Sequence, residues 1–276
     1  RVMVVLRSDG TALYATEDLA LAIEKFTDYP DLLKSLYVVD VRQSLHFQQV
    51  FKVLEIAGYE WAHRCQHLPY ELVSLPGNVV MASREGTIVL LEDLINEAVD
   101  RAYQVVIQKN PDLSDESKRQ IATAVGIGAI KYPMLARENT KIVTFDWETA
   151  LDFNGQAAPY IQYAHVRAGS ILRKAGQFVM TQSEFPDEFT PQEIQLIDWI
   201  SRFPNEVQRA AAEMRPLLAA TYAYELARAF NDFYTQCPVL PAAEPVRSFR
   251  LLLVKASRQV LANSLALLGI TAPQAM

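Results

Sequence analysis

Cysteine is scarce in this chain of 276 residues, whose two cysteines are Cys65 and Cys237. Two cysteines make no disulfide framework, so the sequence is typical of a protein from a reducing compartment, and the cytoplasm is expected. Long apolar runs are also missing. None approaches the roughly 20 residues that a membrane-spanning helix needs. The chain opens on Arg1 and a strand-like run instead of a signal peptide, which predicts a cut inside a longer protein.

Positive charge is in deficit, because the formal net charge is −6. This deficit argues against generic nucleic-acid binding, but it is unevenly distributed. Residues 1–157 carry 15 Lys and Arg against 22 Asp and Glu, whereas residues 158–276 carry 11 against 10. The difference favours two units with different partners. Chance asymmetry is the alternative.

The hydrophobic pattern of the first 60 residues predicts alternating strands and helices. Buried strands are expected at Val2–Leu6 and Leu36–Val41, and a helix follows each of them. Thr16 is expected to cap the first helix, and Gly58 follows the second. This order indicates a parallel, doubly wound α/β sheet, in which ligands bind beyond the carboxyl ends of the strands. That edge would bring together Tyr14, Asp18, Gln43 and His46.

Helical periodicity dominates the remainder of the chain. Residues 70–90 are expected to form two apolar stretches around a turn at residues 76–78. From Glu92 onward apolar residues recur at helical spacing almost to the end, as at Leu196, Trp199 and Phe203. The second half is therefore expected to be an α-helical bundle.

Several stretches carry motifs in the order and spacing of one family, and through them the chain resembles the arginyl-tRNA synthetases along nearly its whole length. They are residues 8–20, 37–47, 81–94, 151–167 and 230–234, with an ending at 267–276 that resembles the family's natural terminus. The resemblance implies a partial class I, Rossmann-like catalytic domain followed by an all-α anticodon-binding domain of the DALR type. The expected divisions are residues 1–95 for the catalytic part with its KMSKS-like loop, 96–157 for a helical connection, and 158–276 for the anticodon-binding domain.

The activity that this resemblance implies is that of an arginine–tRNA ligase. Such an enzyme activates arginine with ATP and Mg²⁺ and esterifies the terminal adenosine of arginine tRNA. The resemblance further implies a monomer without a structural metal. The HIGH sequence of the family is missing from the chain, so these 276 residues alone are expected to be inactive.

Three residues are expected to bind arginine because they match the family's arginine pocket. Tyr14 and Asp18 lie four residues apart at a helix start and can face the same way. An aromatic ring can stack on a guanidinium, and a carboxylate can pair with it. Gln43, just beyond a strand end, would complete the group. The alternative is that Asp18 only favours the helix dipole and Tyr14 only packs.

ATP-binding residues are expected at two places. His46 and His67 would approach the nucleotide by resemblance, although either histidine could instead be structural. Met81, Ser83 and Arg84 occupy the place of the family's KMSKS loop, whose cations stabilise phosphate charge. The match is degraded, since Val80 stands where the loop's first lysine would be.

His63, Cys65 and His67 alternate along one segment and raise the possibility of zinc. A structural zinc site needs four ligands, and no further Cys or His lies nearby in the sequence. We therefore interpret the segment as ordinary structure.

Two sets of residues are expected to contact tRNA. Tyr160, Tyr163 and Arg167 are spaced i, i+3, i+7 and can share one helix face, where aromatic and basic groups suit unpaired bases and phosphate. The resemblance adds Tyr234 and Met276. A buried aromatic stripe is the alternative. A second helix places four cations within about 140° of its circumference, which is plausible phosphate-binding surface or an ordinary solvated face. They are Arg247, Arg250, Lys255 and Arg258.

Two further functions compete with the ligase. A non-catalytic tRNA-binding module could use the same helical domain, and a gene without an upstream HIGH motif would favour it. A generic α/β enzyme with a helical appendage would not account for the motifs at residues 230–234 and at Met276.

Overall fold

The computed structural model describes residues 3–75, 79–80, 90–176 and 185–276. The chain divides into two compact units. Unit 1 contains the described residues up to Leu72, together with Asn139–Ile142. Unit 2 contains Val73–Glu138 and Val143–Met276. The excursion at Asn139 joins unit 1 through a backbone hydrogen bond, in which the Glu71 amide donates to the Asn139 carbonyl at 2.9 Å.

Unit 1 contains two helices and a pair of parallel strands. Strands β1 and β2 pair in register from Ser35 with Cys65 to Asp40 with Tyr70. Helices α1 and α2 contribute Ala22, Val50 and Leu54 to a small apolar cluster. The elements are α1 (Tyr14–Asp28), β1 (Ser35–Asp40), α2 (Ser44–Ile56) and β2 (Cys65–Tyr70), with 3₁₀ turns at Val41–Gln43 and Glu60–Arg64.

Two predictions for the start of the chain are wrong. In the described part, residues 3–6 form no strand beyond an isolated bridge between Leu6 and Ala12, and Leu6 is exposed. Helix α1 begins at Tyr14 after Leu13, so Thr16 lies inside the helix instead of capping it. Its hydroxyl donates to the Val5 carbonyl. An apolar run had indicated burial, but a strand also needs a partner.

Strand β1 is buried on one face only, although its apolar sequence predicted burial on both. Ser35 and Tyr37 point inward, whereas Leu36 is 45% exposed and Val38 is 60% exposed. The prediction of the following helix is confirmed, since Gly58 adopts a φ of 89° just past α2, a backbone conformation that favours glycine.

In the residues that the structure describes, unit 2 begins with three short strands and three helices. Strand β3 pairs antiparallel with β4 and parallel with β5. Helices α3 and α4 pack closely at Gly126, where an added Cβ would lie 2.8 Å from the Ala98 backbone. The elements are β3 (Val73–Leu75), β4 (Val79–Val80), α3 (Leu91–Lys109), α4 (Asp115–Leu135), β5 (Val143–Thr144) and α5 (Trp147–Ala150).

Four long helices complete unit 2 and enclose its main core. Leu226, Phe230 and Phe233 are fully buried there. Helix α7 begins with a capping box in which Thr190 and Glu193 satisfy each other's backbone amides. The predicted helical bundle is thus confirmed. Its helices are α6 (Ala158–Ala175), α7 (Pro191–Glu213), α8 (Pro216–Gln236) and α9 (Val246–Leu267). Across the described ranges, no helix is both long enough and apolar enough to cross a bilayer.

Candidate functional site

A histidine contacts two of the three predicted arginine-binding residues of unit 1. His46, in the first turn of α2, places Nε2 2.6 Å from Asp18 Oδ2 on α1. The Tyr14 ring lies against the same imidazole, with 4.9 Å between ring centroids and 31° between planes. Both Asp18 and His46 are mostly shielded, with side chains 16% and 17% exposed. A carboxylate, an imidazole and an aromatic face therefore lie together.

The other predicted ligand-binding residues of unit 1 occupy separate positions. Gln43 ends the 3₁₀ turn that leads into α2, one helical turn before His46. His67, on β2, directs Nε2 to the Val39 carbonyl at 3.0 Å, and its ring lies against Phe47. Because a carbonyl only accepts, the imidazole of His67 donates this bond. His67 is thus held by the fold through Nε2, so any ligand contact of this imidazole would use Nδ1.

The loop residues predicted to contact ATP, Met81, Ser83 and Arg84, lie outside the described residues. The alternating pattern behind the zinc possibility is not formed, because His63 belongs to a 3₁₀ turn and Cys65 begins β2. Within the described ranges, no three His, Cys, Asp or Glu side chains are grouped in a way that could hold a metal ion.

Two of the three predicted aromatic and basic residues of α6 line a cavity of about 510 Å³ in unit 2. Tyr163 and Arg167 form its wall on α6, Tyr234 of α8 lies opposite, and Met276 reaches it from the end of the chain. This volume falls in the range of small-molecule and nucleotide-sized pockets. Four residues that sequence reasoning assigned to tRNA binding from distant parts of the chain are therefore brought together.

Arg167 lies between two tyrosine rings of this cavity. Its guanidinium carbon is 4.7 Å from the ring centroid of Tyr163 and 4.7 Å from that of Tyr234. Arg167 Nη1 also donates to Asn231 Oδ1. These contacts fix the guanidinium and leave the tyrosines partly exposed, at 37% and 44%. The arrangement presents aromatic faces beside a cation, which suits a base and its phosphate.

Sequence reasoning missed several residues of the cavity. Ser170 and Lys174 continue the i, i+4, i+7, i+11 stripe that starts at Tyr163, so the helical spacing could have identified them. Residues 238–241 after α8 also line the cavity. No sequence pattern indicated their participation, because their position depends on how the chain folds back after α8.

Tyr160 takes a different position from Tyr163 and Arg167. Its ring packs against Tyr224 of α8, with centroids 5.4 Å apart, and it borders the main apolar core. Tyr160 is not among the residues that line the 510 Å³ cavity. For this residue the packing alternative fits the structure better than a contact with tRNA.

Two of the four cations on α9 pair with carboxylates. Arg250 Nε donates to Glu193 Oε1 at 2.7 Å, and Arg250 Nη1 donates to the Pro238 carbonyl at 2.8 Å. The side chains of Arg250 and Glu193 are only 12% and 2% exposed. Arg247 pairs with Glu244 at 3.3 Å. The helical wheel had placed both arginines on a phosphate-binding face, but Arg250 instead neutralises a buried carboxylate.

The titration of Glu193 reflects this pairing. Burial opposes ionisation of Glu193, but hydrogen bonds from Arg250 and Thr190 outweigh it and hold the pKa of the carboxyl below its ordinary value. Glu193 is therefore charged at neutral pH, and its charge is matched by Arg250. The pair joins α7 to α9 inside unit 2.

Lys255 and Arg258 line a second cavity of unit 2, of about 530 Å³. Lys255 is exposed. Arg258 Nη2 donates to Gln274 Oε1 near the chain end, and its guanidinium passes close to Gly169, where an added Cβ would be 3.3 Å from Nε. The second cavity also includes His165, whose pKa is lowered by burial and by the nearby Arg258 charge.

Comparison with protein families gives two matches. Residues 1–147, more than half of the chain, match the family described as tRNA synthetases class I (R), catalytic domain. Residues 161–276 match the DALR anticodon binding domain. The cavity of Tyr163, Arg167, Tyr234 and Met276 lies within this second match.

Curated relatives resemble the chain along almost all of its length. An arginine–tRNA ligase from Clostridium botulinum is 39% identical over 274 residues, which is 99% of this chain and 48% of that protein. One from Clostridium perfringens is 40% identical over 275 residues, with the same coverage. The chain thus spans about half the length of the curated relatives that it matches.

Solved structures agree with the fold. The Thermus thermophilus arginyl-tRNA synthetase is 36% identical with a TM-score of 0.89, covering 99% of this chain and 51% of that one. The arginyl-tRNA synthetase of Plasmodium falciparum is 23% identical with a TM-score of 0.82, covering 99% and 46%. At that identity, the second likeness bears on the fold alone.

Proposed function

This chain belongs to the class I (R) tRNA synthetase family, and from that premise we propose that it is the C-terminal half of an arginine–tRNA ligase. Its helical domain would read the anticodon of arginine tRNA. Anticodon reading is supported by the cavity that Tyr163, Arg167, Tyr234 and Met276 line together. Exposed aromatic faces beside a fixed guanidinium are suited to unpaired bases, which stack on aromatic groups.

In unit 1, we assign arginine binding to Tyr14, Asp18 and Gln43. The Asp18 carboxylate would pair with the guanidinium of arginine, and the Tyr14 ring would cover it. The 2.6 Å contact with His46 supports a positioning role for that histidine, which holds Asp18 Oδ2 toward α2. We propose this positioning role beside the predicted ATP contact of His46. His67 is kept as a proposed ATP contact, and because its Nε2 is bonded to the Val39 carbonyl, only Nδ1 could face the nucleotide.

ATP is proposed as the activating substrate and would bring Mg²⁺ on its phosphates, as is usual for this ion. Ser83 and Arg84 are retained from the sequence as phosphate contacts. The chain contains no HIGH sequence. We therefore propose that these 276 residues do not catalyse arginine-dependent exchange of pyrophosphate into ATP. Exchange at the rate of a full-length ligase would contradict this.

The proposal also includes the domain organisation of the chain and its location in the cell. The functional division is residues 1–95, 96–157 and 158–276, for the catalytic part, the connection and the anticodon-binding part. Two of the four α9 cations, Lys255 and Arg258, remain candidates for phosphate contact. Arg250 is not proposed as a phosphate contact because its guanidinium pairs with Glu193. The protein is proposed to be monomeric and cytoplasmic.

The experiment that tests the proposal measures binding of the chain to arginine tRNA by fluorescence anisotropy. A matched tRNA carries the same body with an exchanged anticodon. We expect about tenfold tighter binding of the arginine tRNA, and binding of both should weaken as salt is added. Equal affinities for the two tRNAs would contradict anticodon reading.

Variants in the cavity locate the interaction. Tyr163→Ala removes an exposed ring and should weaken binding of arginine tRNA about tenfold, since base stacking is worth about 1–3 kcal/mol. Tyr160→Ala is the matched control on the same helix, because Tyr160 lies against Tyr224 outside the cavity. Its tRNA affinity should stay close to that of the unchanged chain.

The second candidate function is a non-catalytic tRNA-binding module. The observation that favours it is that all four converging residues of the cavity lie in unit 2. Both functions predict tRNA binding. The two functions can be distinguished by arginine binding, because only a ligase half requires Tyr14 and Asp18 for its activity. If Asp18→Asn in the full-length protein encoded by the gene leaves aminoacylation unchanged, the arginine assignment fails.

A further inference from the structure

The last residues of the chain lie against α4 and α6 as a tail outside any helix or strand, which we define as Gly269–Met276. The carbonyls of Gly269, Thr271 and Pro273 each accept a hydrogen bond from a side chain of a helix. A tail held by side chains at every second residue has one defined path.

Gln162 provides the central attachment. It is fully buried on α6, and its Nε2 donates to the Thr271 carbonyl at 2.8 Å and to the Ala124 carbonyl of α4 at 3.0 Å. One amide therefore joins two helices to the tail. Both of its N–H groups are used, which fixes the orientation of the amide.

His165 provides the next attachment, one helical turn along α6. It is 3% exposed, and its Nδ1 lies 3.0 Å from the Pro273 carbonyl. A carbonyl only accepts, so the proton is on Nδ1 and the imidazole donates. Beyond it, Arg173 and Arg258 hold Gln274 by its carbonyl and its side chain.

The two sets of α6 residues occupy different faces of the helix. At about 100° per residue, Gln162, His165 and Arg173 are centred about 130° from the stripe of Tyr163 and Arg167. The first face holds the tail, and the second forms one wall of the 510 Å³ cavity. The tail ends at Met276, which lines the same cavity. Met276 and Ala275 also pack against the cluster of Val106, Ile121 and their neighbours.

From this geometry we propose that Gln162 and His165 are positioning residues, which set the place of Met276 in the tRNA-binding cavity by clamping the tail. The inference rests on the proposed function. The two residues contact the tail and α4 and act on tRNA through Met276. One helix thereby orients both a fixed wall of the cavity and a tail that has no helix or strand of its own.

A double-mutant cycle tests the clamp with the full 276-residue chain. Deletion of Met276 should weaken binding of arginine tRNA about tenfold. His165→Leu, which keeps bulk but removes the donor, should weaken it about fivefold. Once Met276 is deleted, His165→Leu should cause no further loss, because its effect passes through the deleted residue. Independent, multiplying losses would overturn the proposal.

Two further variants protect the test from simple misfolding. His165→Asn can place an amide donor where Nδ1 was and should restore most of the affinity lost in His165→Leu. Gln274→Ala removes an exposed attachment to Arg258 without altering the core, and should weaken binding in the same direction. The methyl NMR signal of Met276, assigned by the deletion, should broaden or shift in His165→Leu and return in His165→Asn. An unchanged signal in His165→Leu would contradict the clamp.

The same measurements distinguish failure of the proposed function from failure of the clamp. If the unchanged chain does not prefer arginine tRNA over the anticodon-exchanged tRNA, the proposed function fails. If it does prefer arginine tRNA, but the Met276 deletion and His165→Leu act independently, only the clamp fails.

Discussion

The two compact units of this chain use similar hydrophobic residues with very different results. In unit 2, Leu226, Phe230 and many other apolar side chains are completely buried in one large cluster. In unit 1, the buried clusters are small, and Leu33 and Val38 are 84% and 60% exposed. Since burial of apolar area is the main stabilising contribution to folding, unit 2 should dominate the stability of the chain. Apolar composition alone therefore does not reveal which unit has a complete core.

The largest expected effect comes from the core of unit 2. Phe230→Ala should lower the free energy of unfolding by about 3–5 kcal/mol, because it leaves a cavity at a fully buried site. Leu36→Ala in unit 1 is the counterpart and should change it by about 0.5 kcal/mol or less. Urea unfolding followed by circular dichroism measures both. Equal losses of unfolding free energy in the two variants would contradict the view that unit 2 dominates the stability of the chain.

The buried ion pair of unit 2 gives the next largest effect. Glu193→Gln leaves the charge of Arg250 without its partner and should cost about 3 kcal/mol of unfolding free energy. Asp198→Asn removes a half-exposed partner of Arg202 on the same helix and should cost less than about 1 kcal/mol. Urea unfolding at neutral pH separates the two variants.

The pair also predicts a pH dependence. The folded-state pKa of Glu193 lies below the ordinary glutamate value of about 4.3, so ionised Glu193 stabilises the fold above that pH. This contribution is lost as the pH falls through the lower folded-state pKa. Between these two values, the stability of Glu193→Gln should fall less steeply than that of the unchanged chain. Parallel curves would show that Arg250 does not stabilise the charge.

A close helix contact in unit 2 has a smaller expected effect. Gly126→Ala would place a Cβ 2.8 Å from the Ala98 backbone, and separating α3 from α4 should cost about 2 kcal/mol. Thr123→Ala, one turn earlier on an exposed position, is the control and should leave stability unchanged or slightly raised. Thermal unfolding of the two variants measures the difference. Equal stability of the two variants would mean that α3 and α4 can move apart without loss of unfolding free energy.

The smallest effect is expected on the exposed face of unit 1. Val38→Thr should change the unfolding free energy by about 0.5 kcal/mol or less, but should reduce self-association at high concentration because an apolar strand face is made more polar. Sedimentation velocity over a concentration series measures this association. Val254→Thr, at a fully buried position of unit 2, should instead be clearly destabilising.

The sequence predicted elements well where the pattern was long and periodic. The helices after residue 90 follow directly from apolar spacing, and the aromatic stripe of α6 predicted Tyr163 and Arg167 as neighbours of one site. The early strand at residues 3–6 was wrong because an apolar run does not say whether a pairing strand is available. Burial of both faces of β1 failed for a different reason, since apolar side chains do not say whether another layer packs on each face of the strand.

Site predictions depended on contacts that local spacing does not contain. Arg250 appeared free on a helical wheel, but its partner Glu193 lies 57 residues away in the sequence. Helical spacing on α6 does not distinguish Tyr160 from Tyr163. In the fold, it is Tyr160 whose ring packs against Tyr224 of α8. The contact of His46 with Asp18 spans 28 residues and required the packing of two helices.

The excursion of the chain at residues 139–142 has a consequence for how this protein could be rearranged. Unit 1 is discontinuous in sequence, and the chain crosses between the units at residues 72–73, 138–139 and 142–143. Two of the flanking residues, Val73 and Val143, are direct partners in the sheet of unit 2. A single recombination point could therefore not exchange unit 1 as a cassette. Its removal would require a second edit that rejoins Glu138 to Val143 while keeping β5 in register with β3.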